Sequence, residues 1–138
     1  MNPPARVTDL LPHAITARDR AHAPYSGFQI GAAVLADGLI FTGANIENSA
    51  FSLTNCAERT AVFKAISEGA RTITAVVVVA DSVEPLAPCG ACRQVLAEFC
   101  PPDAPVLMAN LQGETRISTI AKLLPGGYPQ IHTTPDLS

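Results

Sequence analysis

Cys56-Ala57-Glu58 and Pro88-Cys89-Gly90-Ala91-Cys92 are the stretches of this 138-residue chain that decide its fold and its chemistry. Cys89 and Cys92 are three residues apart, so on a helical turn they share a face and can chelate one metal ion. Cys56 supplies a third thiolate from a separate segment. A catalytic zinc takes three protein ligands and keeps one position open, so the pattern predicts one Zn²⁺ per chain.

Glu58 follows Cys56 by two residues and can lie beside the metal without binding it. A carboxylate in that position can take a proton from water and deliver it to a substrate, which is general acid–base catalysis. Three thiolates on one Zn²⁺ leave a net negative charge. Arg59 comes next, and we predict that it hydrogen-bonds the thiolates and offsets that charge.

The cysteine motif has other interpretations. Two cysteines at this spacing also occur in redox-active pairs and in structural zinc sites. A redox pair does not need Cys56 or Glu58, and a structural zinc usually takes a fourth Cys or His. The remaining cysteine, Cys100, lies beside Pro101-Pro102 with no second ligand spacing. We therefore predict a catalytic zinc, and we interpret Cys100 as a small hydrophobic residue.

The composition indicates one globular domain over residues 1–138, because 48% of the residues are hydrophobic and 15% are charged. The net charge is −3 and there is no run of basic residues, which argues against a nucleic-acid partner. The longest apolar run, 73–80, is too short to span a membrane. Thiolate ligands without a secretory signal predict a cytoplasmic location.

Hydrophobic periodicity and turn residues predict helices that alternate with strands. Helices are expected at 8–21, 57–68, 90–99 and 118–124, the first capped by Thr8 or Asp9 and the last by Ser118. Strands are expected at 28–35, 39–43, 72–80, 106–110 and 115–117, with a hairpin turn at Asp37-Gly38. The third strand is β-branched and is predicted to be central. This alternation predicts an α/β fold, a three-layer α-β-α sandwich around a mixed sheet of about five strands.

Several stretches of the chain carry a more specific pattern than the zinc motif alone. The C-x-E…P-C-x-x-C pattern is the zinc signature of the wider deaminase superfamily in its all-cysteine form. The more specific stretches are Ala23-Pro24-Tyr25-Ser26-Gly27-Phe28-Gln29-Ile30-Gly31-Ala32-Ala33, Gly43-Ala44-Asn45-Ile46-Glu47-Asn48, Cys56-Ala57-Glu58-Arg59-Thr60-Ala61, Pro88-Cys89-Gly90-Ala91-Cys92-Arg93-Gln94 and Leu123-Leu124-Pro125-Gly126. Together these five stretches resemble small homotetrameric, zinc-dependent cytidine deaminases. The resemblance implies hydrolytic deamination of cytidine and 2′-deoxycytidine to uridine and 2′-deoxyuridine, with release of ammonia, as in pyrimidine salvage.

The resemblance also implies which residues hold the nucleoside. Phe28 would stack on the pyrimidine ring, and Asn45 and Glu47 would hydrogen-bond the ribose 3′-hydroxyl. Ala57 would read the base through its backbone, and the carbonyl of Ala87 would receive the departing amino group. From the residues alone, Phe28 could equally be a core residue, and Asn45 and Glu47 could be turn residues.

Two positions depart from the residues that are common in the family. Many members carry Tyr where this chain has Phe51, and the missing hydroxyl removes one contact to the 5′ side of the ribose. Many members carry Phe where this chain has Tyr128. In the family this aromatic residue closes over the base in a neighbouring subunit's site, and Tyr can still stack there. The resemblance thus implies a homotetramer with shared active sites.

Three other functions share part of the pattern. A deaminase of nucleoside antibiotics would have the same zinc motif, but the stretches around Phe28 and Asn45 favour a nucleoside. A polynucleotide-editing deaminase would need basic or aromatic surface for flanking nucleotides, and the composition offers little of either. A zinc-binding interaction module would not need Glu58.

Overall fold

A five-stranded mixed sheet forms the middle layer of the fold in the computed structural model, which describes residues 6–127. Its strands are β1 (Ile30–Ala36), β2 (Leu39–Ala44), β3 (Ile73–Ala80), β4 (Pro105–Asn110) and β5 (Thr115–Thr119). The strand order is β2-β1-β3-β4-β5, with β3 and β4 parallel and the other pairs antiparallel. The β-branched strand β3 is therefore central, as predicted, and it is buried except at Thr74.

Helices cover both faces of this sheet. A 3₁₀ segment (Val7–Leu10) leads into α1 (Leu11–Arg18), and the other helices are α2 (Ala57–Ser67), α3 (Gly90–Phe99) and α4 (Ile120–Leu123). Alternate residues of a strand point to opposite faces, so β3 serves two cores. Val77 and Val79 pack with α1, whereas Val76 and Val78 pack with the other three helices. This arrangement confirms the predicted three-layer α/β fold.

The first helical segment differs from the prediction at both ends. It begins at Val7, not at 8, and the Asp9 carboxylate accepts a hydrogen bond from the backbone N–H of Arg6 at 2.9 Å. Helix α1 ends at Arg18, not at 21, because the next backbone N–H groups bond to carbonyls three residues back and not four. These bonds are Asp19 to Thr16, Arg20 to Ala17 and Ala21 to Arg18.

The last helix is capped by Thr119 and not by Ser118. The hydroxyl of Thr119 accepts a hydrogen bond from the backbone N–H of Lys122 at 3.3 Å. Ser118 stays in β5, where it pairs with Val106. Its place in the sheet ladder fixes an extended conformation two residues before the helix begins, so the cap falls one residue later than expected.

Gly43 allows α2 to lie directly against the sheet. A Cβ atom at Gly43 would lie 2.5 Å from the backbone nitrogen of Ala61 and 2.7 Å from the carbonyl oxygen of Ala57. Only a residue without a side chain permits this approach. The contact fixes the first turn of α2, which carries Glu58 and follows Cys56.

None of the helices within residues 6–127 has the length and apolar character needed to cross a membrane.

Candidate metal centre and active site

Three cysteine sulfurs meet where α2 and α3 begin. Cys56 immediately precedes α2, Cys89 immediately precedes α3, and Cys92 lies in the first turn of α3. The three Sγ atoms all lie within 4.8 Å of one another. The Sγ atoms of Cys56 and Cys89 are 3.8 Å apart. The cysteines from the two motifs thus form one candidate metal site.

The chemistry of this donor set fits zinc. A tetrahedral zinc with Zn–S bonds of about 2.3 Å holds its sulfur ligands about 3.8 Å apart. The Cys56–Cys89 separation matches that spacing, and none of the three cysteines is in a disulfide. The positive ends of two helices point at the cluster, which favours anionic thiolates. Three sulfurs leave one position of a tetrahedral ion open, so the cluster can hold one zinc per chain.

Arg59 brings positive charge to the cluster. Its Nη2 donates a hydrogen bond to the sulfur of Cys56 at 3.4 Å. The hydrogen bond from the Cys92 thiol lowers the pKa of Cys56, burial opposes this, and the hydrogen bond from Arg59 lowers the pKa further. The Nε of Arg59 is buried and has no partner within residues 6–127. The hydrogen bond from Nη2 places the positive guanidinium where it stabilises negative charge on the Cys56 sulfur.

Glu58 is a buried carboxyl group beside the cysteines. Its side chain is 4% exposed, and it lines the same cavity as Cys56 and Cys89. Burial raises the pKa of Glu58 to about 7, helped by the nearby charge of Cys56. A carboxyl group with a pKa in this range can hold or release a proton near neutral pH.

A cavity of about 130 Å³ joins the cysteines and Glu58 to the sheet. Ala80 and Ala109, near the carboxyl ends of the parallel strands β3 and β4, form part of its wall. The other lining residues are Ile30, Cys56, Glu58, Val78, Leu86, Ala87 and Cys89. Ligands of α/β sheets commonly bind at the carboxyl ends of parallel strands, and this cavity has that position.

Asn45 is buried and ties two segments of the chain together. Its Oδ1 accepts a hydrogen bond from the backbone N–H of Ile30, and its Nδ2 donates to the carbonyl of Phe28, both at 2.8 Å. Strand β1 consequently begins at Ile30, not at Phe28 as predicted, because the side chain of Asn45 takes the place of a neighbouring strand. The amide nitrogen of Asn45 carries a second hydrogen that can serve a further acceptor.

Glu47 is held by the turn that precedes β1. Its Oε1 accepts hydrogen bonds from the backbone N–H groups of Tyr25 at 2.9 Å and Ser26 at 3.1 Å. The Ser26 hydroxyl donates to Oε2, and this hydrogen bond is the main cause that lowers the pKa of Glu47. The carboxylate is therefore ionised near neutral pH and fixed in orientation.

A second, more open cavity lies next to Glu47. It measures about 370 Å³ and is lined by Tyr25, Ser26, Glu47, Phe51 and Thr54. The ring of Phe51 is 75% exposed and stands edge-on to the ring of Tyr25, with centroids 6.1 Å apart. No lysine or arginine is among these lining residues, so the wall of the cavity presents a carboxylate and aromatic rings.

The predicted site residues fall into two groups. Glu58, Ala87 and two of the cysteines share the first cavity, whereas Glu47 lines the second. Ala57 is fully buried at the start of α2, and Phe28 is half-buried two residues before Ile30. Tyr128 lies outside the described residues.

Sequence reasoning missed two contacts of the site. The first is the hydrogen bond that the Ser26 hydroxyl donates to the carboxylate of Glu47. The second is Arg93, whose side chain donates a hydrogen bond to the carbonyl of Pro88 beside the metal cluster. The position of Arg93 directly after Cys92 was the available signal for the second contact. Ser26 lies 21 positions from Glu47, whereas Pro88 and Arg93 lie only five positions apart in the second cysteine motif.

The fold and the site define a class of zinc-dependent α/β hydrolases in which thiolates at two helix N-termini bind the metal and a buried glutamate lies beside it. Residues 5–108 match the family model described as the cytidine and deoxycytidylate deaminase zinc-binding region. The chain belongs to this family.

Relatives and solved structures agree with this assignment. A cytidine deaminase of Halalkalibacterium halodurans is 57% identical over 120 residues, covering 86% of this chain and 91% of that protein. One from Sporosarcina psychrophila is 56% identical over 123 residues, covering 88% and 90%. The crystal structure of a cytidine deaminase from Burkholderia pseudomallei matches with a TM-score of 0.86 at 43% identity, covering 90% of this chain and all of that one.

Proposed function

We propose that this protein deaminates cytidine and 2′-deoxycytidine by zinc-dependent hydrolysis, giving uridine and 2′-deoxyuridine with release of ammonia in pyrimidine salvage. The cavity that brings three cysteine sulfurs together with buried Glu58 carries this proposal. The relatives that are named cytidine deaminases support a nucleoside as the substrate. A reducing cytoplasm is the compartment in which the thiolate ligands would persist.

Cys56, Cys89 and Cys92 would hold the zinc. When bound, the zinc supplies the Lewis acidity that makes a water molecule nucleophilic near neutral pH. Arg59 offsets the negative charge of the three thiolates through its hydrogen bond to Cys56. That offset keeps the metal site electrophilic despite its all-sulfur ligand set.

Glu58 moves the protons of the reaction. It takes one proton from the attacking water and delivers it to N3 of the cytosine ring, so that C4 becomes electrophilic. The water oxygen forms a bond to C4. Glu58 then carries the remaining proton of that oxygen to the exocyclic amino group, the C4–N bond breaks, ammonia leaves, and C4 keeps the oxygen as the carbonyl of uridine. The pKa of about 7 that burial gives Glu58 suits both roles.

The nucleoside would be held from three sides. The carbonyl of Ala87, at the wall of the first cavity, accepts a hydrogen bond from the amino group, and the backbone of Ala57 reads the base. Phe28 stacks on the pyrimidine ring. Asn45 has one amide hydrogen left and Glu47 has unused lone pairs, and both would bind the ribose 3′-hydroxyl. The contacts that already fix the two side chains would pre-organise them for this role.

A direct test is the loss of cytidine absorbance with and without a zinc chelator. Cytidine and 2′-deoxycytidine should both be turned over, the chelator should abolish turnover, and added zinc should restore it. Free cytosine should be a poor substrate, because it lacks the ribose hydroxyl that Asn45 and Glu47 are proposed to bind. Cytidine monophosphate should also be poor, since no lysine or arginine is among the described residues that line the cavity beside Glu47. Equal rates on cytosine and cytidine would contradict the proposed sugar site.

The finer part of the proposal is a homotetramer in which neighbouring subunits complete each site. Large apolar side chains near the second cavity support it: Tyr25 is 54%, Phe51 75% and Leu53 68% exposed. Tyr128 follows Gly126-Gly127, and by the family resemblance it closes over the base of a neighbour's site. A closed assembly with two-fold axes would repeat this contact on every chain.

Co-expression of two inactive variants tests the sharing of sites. Chains with Glu58→Gln lack the proton carrier, and chains with Tyr128→Ala lack the closing ring. A mixed tetramer contains sites that draw Glu58 from one chain and Tyr128 from its neighbour, so part of the activity should return. Sedimentation should give about four times the chain mass. An active monomer, or a verified mixed assembly that stays inactive, would contradict this part of the proposal.

A further inference from the structure

Arg93 joins the loop that carries a metal-binding cysteine to a distant part of the chain. Its Nε donates a hydrogen bond to the carbonyl of Pro88 at 2.7 Å, and its Nη1 donates to the carbonyl of Leu123 at 2.9 Å. Its backbone N–H also donates to the carbonyl of Cys89 at 2.9 Å. Both acceptors of the side chain are backbone carbonyls, so these contacts fix main-chain positions.

The carbonyl of Pro88 lies in the loop between a residue of the first cavity and a cysteine of the metal cluster. Pro88 is fully buried, and it stands between Ala87, which lines the first cavity, and Cys89, which belongs to the metal cluster. This peptide lies outside the helices and strands. The hydrogen bond from Arg93 therefore sets the orientation of the peptide that leads into Cys89.

The carbonyl of Leu123 is the second backbone acceptor of the Arg93 side chain. Leu123 is the last residue of α4, and the final carbonyls of a helix have no partner within the helix. Pro125 follows two residues later and has no backbone N–H to offer. Arg93 satisfies the Leu123 carbonyl, and α4 in turn packs against the core through Ile120.

We propose that Arg93 is a positioning residue that holds the Pro88–Cys89 peptide, and with it the Cys89 sulfur, in the geometry that zinc retention requires. The proposal rests on the zinc site proposed above. An arginine suits this role because its donors form a rigid planar fork that reaches two acceptors at once. A lysine has one ammonium group on a flexible stem and can replace only part of these two hydrogen bonds.

The test measures how fast zinc leaves the holoenzyme into a chelating dye. Arg93→Met removes both hydrogen bonds, and we expect release that is about 10-fold faster or more, since residues that support metal ligands commonly contribute 10–100-fold to metal affinity. Arg93→Lys should give an intermediate rate. The matched control is Arg71→Met, because Arg71 also donates to two backbone carbonyls, those of Ala70 and Ile66, at the opposite end of α2 from Cys56. This control should release zinc at the wild-type rate.

Thermal unfolding of the same four proteins separates positioning from general stability. Faster zinc release in the Arg93 variants alone, with Arg71→Met losing a comparable amount of stability, supports the proposal. Wild-type release from Arg93→Met, or equal acceleration in Arg71→Met, overturns it. If Arg93→Met does not fold, Arg93→Lys decides by the same comparison. The measurement needs no substrate, so failure to deaminate cytidine would overturn the proposed function and leave the role of Arg93 standing.

Discussion

Replacing Glu58 with glutamine should lower kcat by about 10²–10⁴-fold, which is the usual contribution of a general acid–base group. Glutamine keeps the shape of the side chain, but its amide cannot take a proton from water and pass it on. The side chain of Glu58 is 4% exposed, so solvent has little access to replace it as the proton carrier. Zinc content should remain at the wild-type level, because the carboxyl group is proposed to act beside the metal and not as a ligand.

The same substitution at the other end of α2 provides the control. Glu68 is exposed and directly follows α2, so Glu68→Gln removes one negative charge from the surface without touching the cavity. Steady-state rates on cytidine and zinc analysis of both variants should show a loss of kcat in Glu58→Gln alone. Near wild-type turnover in Glu58→Gln would remove Glu58 from the mechanism.

Features set by short-range patterns could be predicted from the sequence. The β-branched run that became β3 is recognisable as a central strand, since it has no polar face to offer solvent. The observed starts of α2 at Ala57 and of α3 at Gly90 agree with the predicted helices, and each start directly follows a cysteine of the two motifs. In both cases the relevant residues lie within one element or directly beside it.

Features that depend on distant partners could not be predicted in this way. Strand β1 begins two residues late because the side chain of Asn45, more than a dozen positions away, takes the backbone groups of Phe28 and Ile30. The hydrogen bond from Arg93 to the carbonyl of Leu123 joins residues that are 30 positions apart in the sequence. Such contacts form only after the sheet has brought the segments together, and no local propensity encodes them.

Cys89→Ala should lose most of its zinc and, with it, most of its activity. Within residues 6–127 no fourth cysteine joins the cluster to replace a missing one, since Cys100 belongs to the hydrophobic core behind α2 and α3. Cys89 is the most suitable of the three positions for this test because its side chain is exposed, whereas Cys92 is fully buried. Removing the sulfur of Cys89 therefore takes away a ligand without opening a cavity in the core.

Cys100→Ala separates the loss of a ligand from the loss of packing. Cys100 is 1% exposed and directly follows α3, the helix that begins after Cys89. Its replacement should lower the free energy of unfolding, because it leaves a small cavity in the core, but the protein should keep its zinc. Metal analysis after dialysis should thus give about one zinc per chain in Cys100→Ala and far less in Cys89→Ala. Full zinc occupancy and activity in Cys89→Ala would refute the three-thiolate site, because a metal that is indifferent to Cys89 must be bound elsewhere.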